Sequence, residues 1–344
     1  MGTAPRRAGA AVSDRIAAFL ARHGLAGAER RPLTGDASAR RYERLRAPDG
    51  RALILADTPA PKDDLIPFIA IGDALADLGL SVPAVVAADV DAGLALLEDF
   101  GDATFSRLLE SGGDPDSLYA LATDVLAGLH RRFRPGGLDL PVYDAALFTE
   151  QVMLFADVYV PLATGRPLPA ADHAELESAW AGVIADACAG PVSLLLRDYH
   201  VDNLMRLDRP GVAAAGLLDF QNAGIGPVAY DLVSLLEDAR RDVPLALAAR
   251  MVERYVSAFP DLDRAAFRRS YAVLGAVRHA RIVAVFTRLA LRDRKRGYLV
   301  HLPRVWRLLE SQLAKPDLAP VAAWFDRHLP PGLRADFVIP ETES

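Results

Sequence analysis

The sequence predicts an α+β fold in which a small antiparallel sheet precedes a larger, mostly helical region. The first hundred residues contain short apolar segments between turn signals, a pattern that is typical of strands. Most of the remaining chain repeats apolar residues at helical spacing. With 344 residues, of which 51% are hydrophobic, the chain is long enough to bury the core of such a fold.

Each element of the first region has its own signal. The alternating and apolar segments on either side of Pro48-Asp49-Gly50 predict an antiparallel meander, because this tripeptide favours a tight turn. Apolar residues at helical spacing predict helices that end at Gly24 and Gly79. In chain order, the sequence predicts a helix from Ser13 to Gly24, strands at 31–33, 40–45 and 52–55, a helix from Leu65 to Gly79, and strands at 85–88 and 94–97.

The later part of the chain is mostly helical, and three short strands interrupt it. Helices are predicted near 104–110, 116–132, 144–160 and 171–188, strands at 193–196, 204–207 and 213–218, and further helices to the end. This pattern predicts a disordered N-terminus at 1–12, an N-lobe at 13–97, a hinge at 98–103 and a helical C-lobe at 104–344.

The charge and the cysteine content of the chain limit the kinds of molecule that it is expected to bind and the compartment that suits it. A net charge of −6 gives no general attraction to nucleic acid or to acidic membranes. Cys188 is the single cysteine, so no internal disulfide can form, as suits a reducing compartment. The N-terminus lacks the apolar segment of a signal peptide, and no uninterrupted apolar run approaches the roughly 18 residues of a membrane span. We expect a cytoplasmic monomer that binds a small molecule and neither nucleic acid nor membrane.

The segment Leu196–Asn203 carries the main chemical signal. It places Asp198 five residues before Asn203, and Asp219 follows after a short apolar strand. In phosphoryl transfer from ATP to a hydroxyl, one Asp accepts the hydroxyl proton, and an Asn and a second Asp hold Mg²⁺ against the phosphates. Carboxylate and amide oxygens are the hard ligands that Mg²⁺ requires. The spacing therefore indicates Asp198 as the base and Asn203 and Asp219 as metal ligands.

Other residues near this motif have weaker signals. Gly35 and Ser38 lie between two predicted strands, where backbone N–H groups and a hydroxyl could contact ATP phosphates, although an ordinary hairpin fits the same residues. We interpret His200 as a loop histidine bound to backbone or to a carboxylate. Asp231, early on an apolar helix, is interpreted as a structural residue that braces the loop around Asp198 through hydrogen bonds.

These residues resemble the aminoglycoside-phosphotransferase and choline-kinase family, a branch of the protein-kinase-like fold, over about residues 30–310. Within that family the chain is most similar to bacterial kinases of cell-wall recycling that phosphorylate the anomeric hydroxyl of N-acetylmuramate and N-acetylglucosamine. Four segments carry this closer resemblance, at 33–42, 96–102, 218–232 and 278–304. The resemblance implies a two-lobed enzyme with ATP between the lobes, and the backbone of Glu98 to Phe100 against adenine.

One departure from the family pattern affects the phosphate site. The third strand of such kinases carries a Lys that grips the α- and β-phosphates, but the segment 52–57 has none. Either the protein is a nucleotide-binding pseudokinase or another cation substitutes, and Arg40, Arg41 and Lys62 are the candidates by sequence position. We favour substitution, because Asp198, Asn203 and Asp219 are all present.

The acceptor site is expected on the helical lobe. Glu150 and Tyr159 share one predicted helix, and Arg278 and Arg281 share another, so these four are the candidate sugar-binding residues. An Arg could hold the lactyl carboxylate of N-acetylmuramate in a bidentate grip. A kinase of another hydroxylated metabolite or of an aminoglycoside remains open. Protein-kinase activity is less favoured, because no activation segment with an Ala-Pro-Glu end follows Asp219.

Overall fold

The computed structural model describes residues 14–33, 40–58 and 64–340. These residues form two compact units, and the chain crosses between the units more than once. The first unit comprises the described residues up to Gly113 together with Val201–Asn222, and the second comprises Asp114–His200 and the described residues from Ala223 onward. The grouping differs from the lobes drawn from the sequence, because residues 201–222 belong with the sheet. The hinge at 98–103 stays a prediction.

The first unit is built on one antiparallel sheet. Its strands lie in the order β1-β2-β3-β5-β4, and every neighbouring pair is antiparallel. The order of three strands, one helix and two strands is therefore confirmed. The elements are α1 (14–22), β1 (Glu29–Leu33), β2 (Arg41–Arg46), β3 (Ala52–Asp57), α2 (Leu65–Asp77), β4 (Val85–Asp89), β5 (Leu94–Glu98) and α3 (Phe105–Glu110).

The two faces of this sheet pack against different helices. Successive side chains of a strand point to opposite faces. On β3, Leu53 and Leu55 join a buried cluster that contains Phe19 of α1, whereas Ala56 joins a second cluster that contains Leu65 of α2. The helical pattern and the strand alternation of the sequence thus specify the same core.

The first part of the second unit consists of helices and one strand. Its elements are α4 (Pro115–Arg132), α5 (Ala145–Leu154), a π-helical turn (Phe155–Tyr159), α6 (Val160–Thr164), α7 (Ala170–Cys188) and β6 (Val192–Leu195). The sequence predicts one continuous helix at 144–160, so the π-helical turn is a difference. In a π-turn the backbone hydrogen bond spans one residue more than in an α-helix. A single such turn does not change the spacing of apolar residues enough to be recognised in the sequence.

Two short strands return the chain to the first unit. A 3₁₀ turn at Val201–Asn203 leads into β7 (Leu204–Arg206), which pairs with β8 (Ala215–Leu217). Isolated bridges join Met205 to Thr104 and Gly216 to Ser81. These backbone pairings are the reason that residues 201–222 group with the sheet.

The rest of the second unit is again mostly helical. Its elements are β9 (Gly224–Pro227), α8 (Ala229–Leu236), α9 (Leu245–Ser257), α10 (Arg264–Arg292), α11 (Leu302–Leu313) and α12 (Ala319–His328). The sequence does not predict β9, which pairs with β6. A Cβ at Gly224 would lie 2.4 Å from the ring of Tyr143, so this Gly-rich strand is set by close packing and not by strand propensity.

The segment Ala145–Thr164 is long and apolar enough to cross a membrane by length and composition alone, with a mean hydropathy of 1.3. In the fold it packs against α7 and α10 and buries Phe148, Phe155 and Tyr159. Core helices of folded domains satisfy the same criterion. The segment is therefore only weak support for a membrane location.

Candidate active site

Two of the three motif residues belong to the first unit, where β7 and β8 position them. Asn203 directly precedes β7, and Asp219 lies two residues after β8. The N–H of Leu218 donates to the carbonyl oxygen of Asn203 at 3.0 Å, which ties the two ends together. Phe220 stacks on Phe68 of α2 with ring centroids 4.8 Å apart, so the residue after Asp219 is anchored in the core.

Asp219 has an unusual backbone conformation. Its φ is +58°, in the left-handed region that residues other than glycine rarely adopt. Strained positions of this kind persist only when the surrounding structure enforces them, and they are concentrated at functional sites. The side chain of Asp219 remains 37% exposed, so its oxygens are accessible to a ligand.

Asn203 and Asp219 line the same cavity of the first unit. This cavity has a volume of about 330 Å³, within the roughly 300–1,000 Å³ range of small-molecule sites. Apolar side chains from β1, β3, α2, β5, β7 and the segment after β8 form much of its wall, namely Leu33, Ile54, Phe68, Leu97, Met205 and Leu218. An apolar wall with oxygen ligands among its lining residues suits a nucleotide, which has a planar base and charged phosphates.

Glu98, Asp99 and Phe100 line this cavity at the end of β5. The carboxylate of Glu98 forms an ion pair with Arg209, whose guanidinium lies 5.3 Å from the centroid of the Phe100 ring. Phe100 also covers Gly216, where a Cβ would come within 2.7 Å of the ring. Arg209 fixes this segment from the loop between β7 and β8. Sequence reasoning missed Arg209, because nothing in Asp208-Arg209-Pro210 signals a partner over a hundred residues away.

Arg40 extends into the cavity beside Asp219. One guanidinium nitrogen of Arg40 lies 2.8 Å from Oδ1 of Asp219, and the amide of Gln221 donates to the same oxygen at 2.8 Å. Burial alone would lower the pKa of Arg40, but Tyr42 and Asp219 outweigh it and raise the pKa. Arg41 is exposed at the start of β2 and does not line the cavity. Gly35, Ser38 and Lys62 lie outside the described residues.

Asp198 lies in the second unit, on a loop that a buried carboxylate holds. The backbone N–H groups of Leu196 and Arg197 donate to Asp231 on α8 at 2.6 and 2.8 Å. Burial raises the pKa of Asp231 to about 6, although these two hydrogen bonds oppose the shift. The bracing role that the sequence suggests for Asp231 is therefore confirmed.

The backbone carbonyl of Arg197, like its N–H group, is hydrogen-bonded to side chains of the surrounding helices. The hydroxyl of Ser234 on α8 and the guanidinium of Arg278 on α10 each donate to it at 3.1 Å. The φ of Arg197 is +70°, a second left-handed position directly before Asp198. Two buried helices thus impose the conformation of this loop.

Positive charges surround Asp198. Burial opposes its ionisation, but nearby cationic groups outweigh burial and hold the pKa of Asp198 below its usual value. The cationic groups are Arg278, Arg197 and Arg281, and His200 is a further neighbour that favours the ionised carboxylate. The Arg197 guanidinium also lies 4.8 Å from the centroid of the Tyr143 ring. Asp198 is therefore an ionised carboxylate at neutral pH, as a base must be.

The four candidate sugar residues have different surroundings. Arg278 and Arg281 on α10 lie close enough to Asp198 for their charges to interact. Tyr159 is fully buried, and its hydroxyl lies 2.8 Å from the carbonyl oxygen of Leu333 and donates to the backbone there. This environment indicates a core role and speaks against substrate binding. Glu150 is exposed in a shallow groove between α5 and α7, which Asp198 does not line.

His200 is buried beside the loop, and its Nε2 lies 3.2 Å from a guanidinium nitrogen of Arg240. The arginine donates, so this nitrogen of the imidazole accepts. Burial is the largest influence on the pKa of His200 and lowers it. The interpretation as a hydrogen-bonded loop histidine fits this geometry, and the arginine side chain is a partner that the sequence does not predict.

In the second unit Asp198 is an ionised carboxylate on a fixed loop, and in the first unit Asn203 and Asp219 line a cavity of small-molecule size. Each feature is typical of enzymes that transfer a phosphoryl group. Comparison with known families gives the same class. The model of the phosphotransferase enzyme family matches residues 29–268, so the chain belongs to that family.

Two relatives above 30% identity agree with this assignment. The chain is 37% identical to the N-acetylmuramate/N-acetylglucosamine kinase of Caulobacter vibrioides, over 91% of this chain and 96% of that protein. It is 34% identical to the kinase of the same name from Pseudomonas aeruginosa, over 85% of this chain and 86% of that protein. The chain is an enzyme of the kinase type.

Two solved structures show the same fold at low identity. One is the ADP-bound aminoglycoside phosphotransferase APH(2'')-Ib, with a TM-score of 0.59, 13% identity, and coverage of 90% of this chain and 98% of that chain. The other is the choline kinase LicA of Streptococcus pneumoniae, with a TM-score of 0.58, 11% identity, and coverage of 88% and 99%. The expected protein-kinase-like α+β fold is confirmed.

Proposed function

We propose that the protein transfers the γ-phosphoryl group of ATP to the anomeric hydroxyl of N-acetylmuramate, N-acetylglucosamine or both. The observation that carries this proposal is the loop of Asp198, an ionised carboxylate that buried helices fix in place among arginines. The names of the two kinases at 37% and 34% identity supply the acceptor class. The reaction would serve the recycling of peptidoglycan sugars, in the cytoplasm where ATP is available.

Asp198 acts as the general base. Its carboxylate orients the acceptor hydroxyl and takes the proton as the hydroxyl oxygen bonds to the γ-phosphorus. The bond from that phosphorus to the bridging oxygen of ADP breaks in the same step, so the products are the sugar 1-phosphate and ADP. A pKa held below the usual carboxylate value keeps Asp198 ready to accept the proton.

Asn203 and Asp219 would hold the metal. Both offer hard oxygen atoms in one cavity, and the partly exposed Asp219 can exchange its present partners, so this donor set fits Mg²⁺. When bound, Mg²⁺ supplies charge neutralisation on the phosphates. The backbone from Glu98 to Phe100 is the proposed contact for adenine, against the apolar wall of the cavity.

Arg40 is the proposed substitute for the missing strand lysine. It is the one of the three sequence candidates whose side chain is both described and placed in the cavity, where it pairs with Asp219. A guanidinium can grip phosphate oxygens with two parallel hydrogen bonds. We therefore favour an active kinase over a pseudokinase.

The test is a panel of acceptors incubated with the protein, ATP and Mg²⁺, with products identified by ³¹P NMR. We expect a sugar 1-phosphate from N-acetylmuramate, N-acetylglucosamine or both. A panel that includes another hydroxylated metabolite and an aminoglycoside separates the alternatives. Product from only those compounds would contradict the proposal, and ATP binding without any turnover would identify a pseudokinase.

A further inference from the structure

Arg278 and Arg281 lie one helical turn apart on α10 but have different partners. Arg278 is buried, and its guanidinium donates to the carbonyl of Arg197 at 3.1 Å and contacts the hydroxyl of Tyr230 at 3.4 Å. These contacts fix Arg278 as part of the loop scaffold. Arg281 is only half-buried, and across residues 14–33, 40–58 and 64–340 its guanidinium has neither a hydrogen bond nor an ion pair.

The charge of Arg281 is poorly compensated. Burial lowers its pKa, and repulsion from Arg197 and Arg278 adds to this effect, while Tyr230 and Asp198 offset it in part. A partly buried guanidinium without hydrogen bonds is costly, because such groups are normally paired. An anion bound next to Arg281 would remove that cost.

The position of Arg281 indicates which anion it would bind. Asp198, the base for the acceptor hydroxyl, lies within electrostatic range of Arg281, so the acceptor itself is expected within reach of the guanidinium. The nucleotide phosphates have Arg40 in the cavity of the first unit. A planar carboxylate matches a guanidinium through two parallel hydrogen bonds. Of the two proposed acceptors, N-acetylmuramate carries a carboxylate and N-acetylglucosamine carries none.

We infer that Arg281 is a specificity-determining residue that receives the carboxylate of an acidic amino sugar. The inference rests on the proposed function and goes beyond it, because it assigns the preference between the two sugars to one side chain. A neutral sugar would leave the half-buried guanidinium hydrated and would still be phosphorylated. The acidic sugar would gain a charge-assisted contact.

The experiment compares wild-type protein with Arg281→Met and Arg281→Lys, using kcat/KM for each sugar. For Arg281→Met we expect a loss on the order of 10–100-fold with N-acetylmuramate and less than about threefold with N-acetylglucosamine. Arg281→Lys should recover part of the loss, because it restores the charge without the planar pair of donors. The control is Arg292→Gln on the same helix, an exposed arginine paired with the adjacent Asp293.

The outcomes are distinct. An equal loss with both sugars would overturn the inference and assign Arg281 to the phosphoryl group or to a part that the sugars share. An unchanged preference would also overturn it. Binding of each sugar to wild-type and Arg281→Met protein is measured without ATP as well, with the thermal midpoint as the check on folding. If the wild-type protein phosphorylates neither sugar, the proposed function fails, whereas equal binding of both sugars to wild-type protein overturns the inference.

Discussion

The two aspartates of the motif are held in different ways. The loop of Asp198, in the helical unit, is fixed through its backbone, because Asp231 accepts two N–H groups and Ser234 and Arg278 donate to the carbonyl of Arg197. Asp219, in the sheet-bearing unit, has a partly exposed side chain whose contacts with Arg40 and Gln221 are made by side chains.

This difference matches two kinds of chemistry. A general base must be oriented before the substrate arrives, because a small misplacement costs much of its advantage. A metal ligand must be able to exchange a protein partner for a cation. The backbone braces suit the first requirement, and the exchangeable contacts of Asp219 suit the second.

The largest effect should come from Asp198→Asn, which removes the proposed base and leaves the hydrogen bonds that brace its loop in place. We expect kcat to fall by about 10²–10⁴-fold, the usual contribution of general-base assistance, with ATP affinity retained. The measurement is steady-state kinetics together with nucleotide-binding titration. Asp261→Asn, at an exposed position in the same unit, is the control and should behave as wild type. Unchanged turnover in Asp198→Asn would remove this residue from the reaction.

A smaller effect is expected from Arg40→Met, which tests the side-chain contacts of the other aspartate. Loss of a charge-assisted contact to phosphate should lower kcat/KM for ATP by roughly 10–100-fold. Arg41→Met is the matched control, since Arg41 is the next residue in the chain, is exposed at the start of β2 and does not line the cavity. Equal losses in the two variants, or none in Arg40→Met, would leave another group as the phosphate-binding cation.

The smallest effect concerns the brace of the Asp198 loop and its pH dependence. Burial raises the pKa of Asp231 to about 6 in the folded state, so between about pH 4 and 6 the folded protein binds more protons than the unfolded chain. This contribution to stability is present at low pH and is lost as the pH rises through about 6. Relative to Asp231→Asn, the wild type should lose roughly 1 kcal/mol of unfolding free energy between pH 5 and pH 7.

Urea unfolding at the two pH values measures this difference. The control is Asp208→Asn, at an exposed loop position. Asp202 is not used for this purpose, because it is adjacent to Asn203. A pH dependence that is identical in wild type and Asp231→Asn would show that Asp231 does not titrate in this range.

The sequence predicts the parts of the site that depend on local order. The spacing of Asp198, Asn203 and Asp219 is a property of the chain itself, and so is the alternation that builds the sheet. Asp231 was identified because an acid on an apolar helix needs partners. The family assignment follows from the same residues, and the comparisons confirm it.

Other features depend on residues that meet only in the folded chain. Tyr159 matches the spacing of a sugar-binding residue, yet its helix turns it into the core. Arg209 reaches Glu98 from over a hundred residues away, and β9 forms because Gly224 packs against Tyr143. Helical or strand periodicity reports which face of an element is apolar, but not which element covers that face.

The sequence by itself thus determined the fold class and the absence of a lysine in the third strand, and it predicts Asp198 as the base and Asn203 and Asp219 as metal ligands. Only the tertiary structure decided that Arg40, and not Arg41, lines the cavity, and that Arg278 is a brace while Arg281 has no hydrogen bond or ion pair with the described part of the chain. The physical reason is that residues next to each other in the chain, or one turn apart on a helix, differ in what the rest of the fold places against them. Local sequence does not encode that contact.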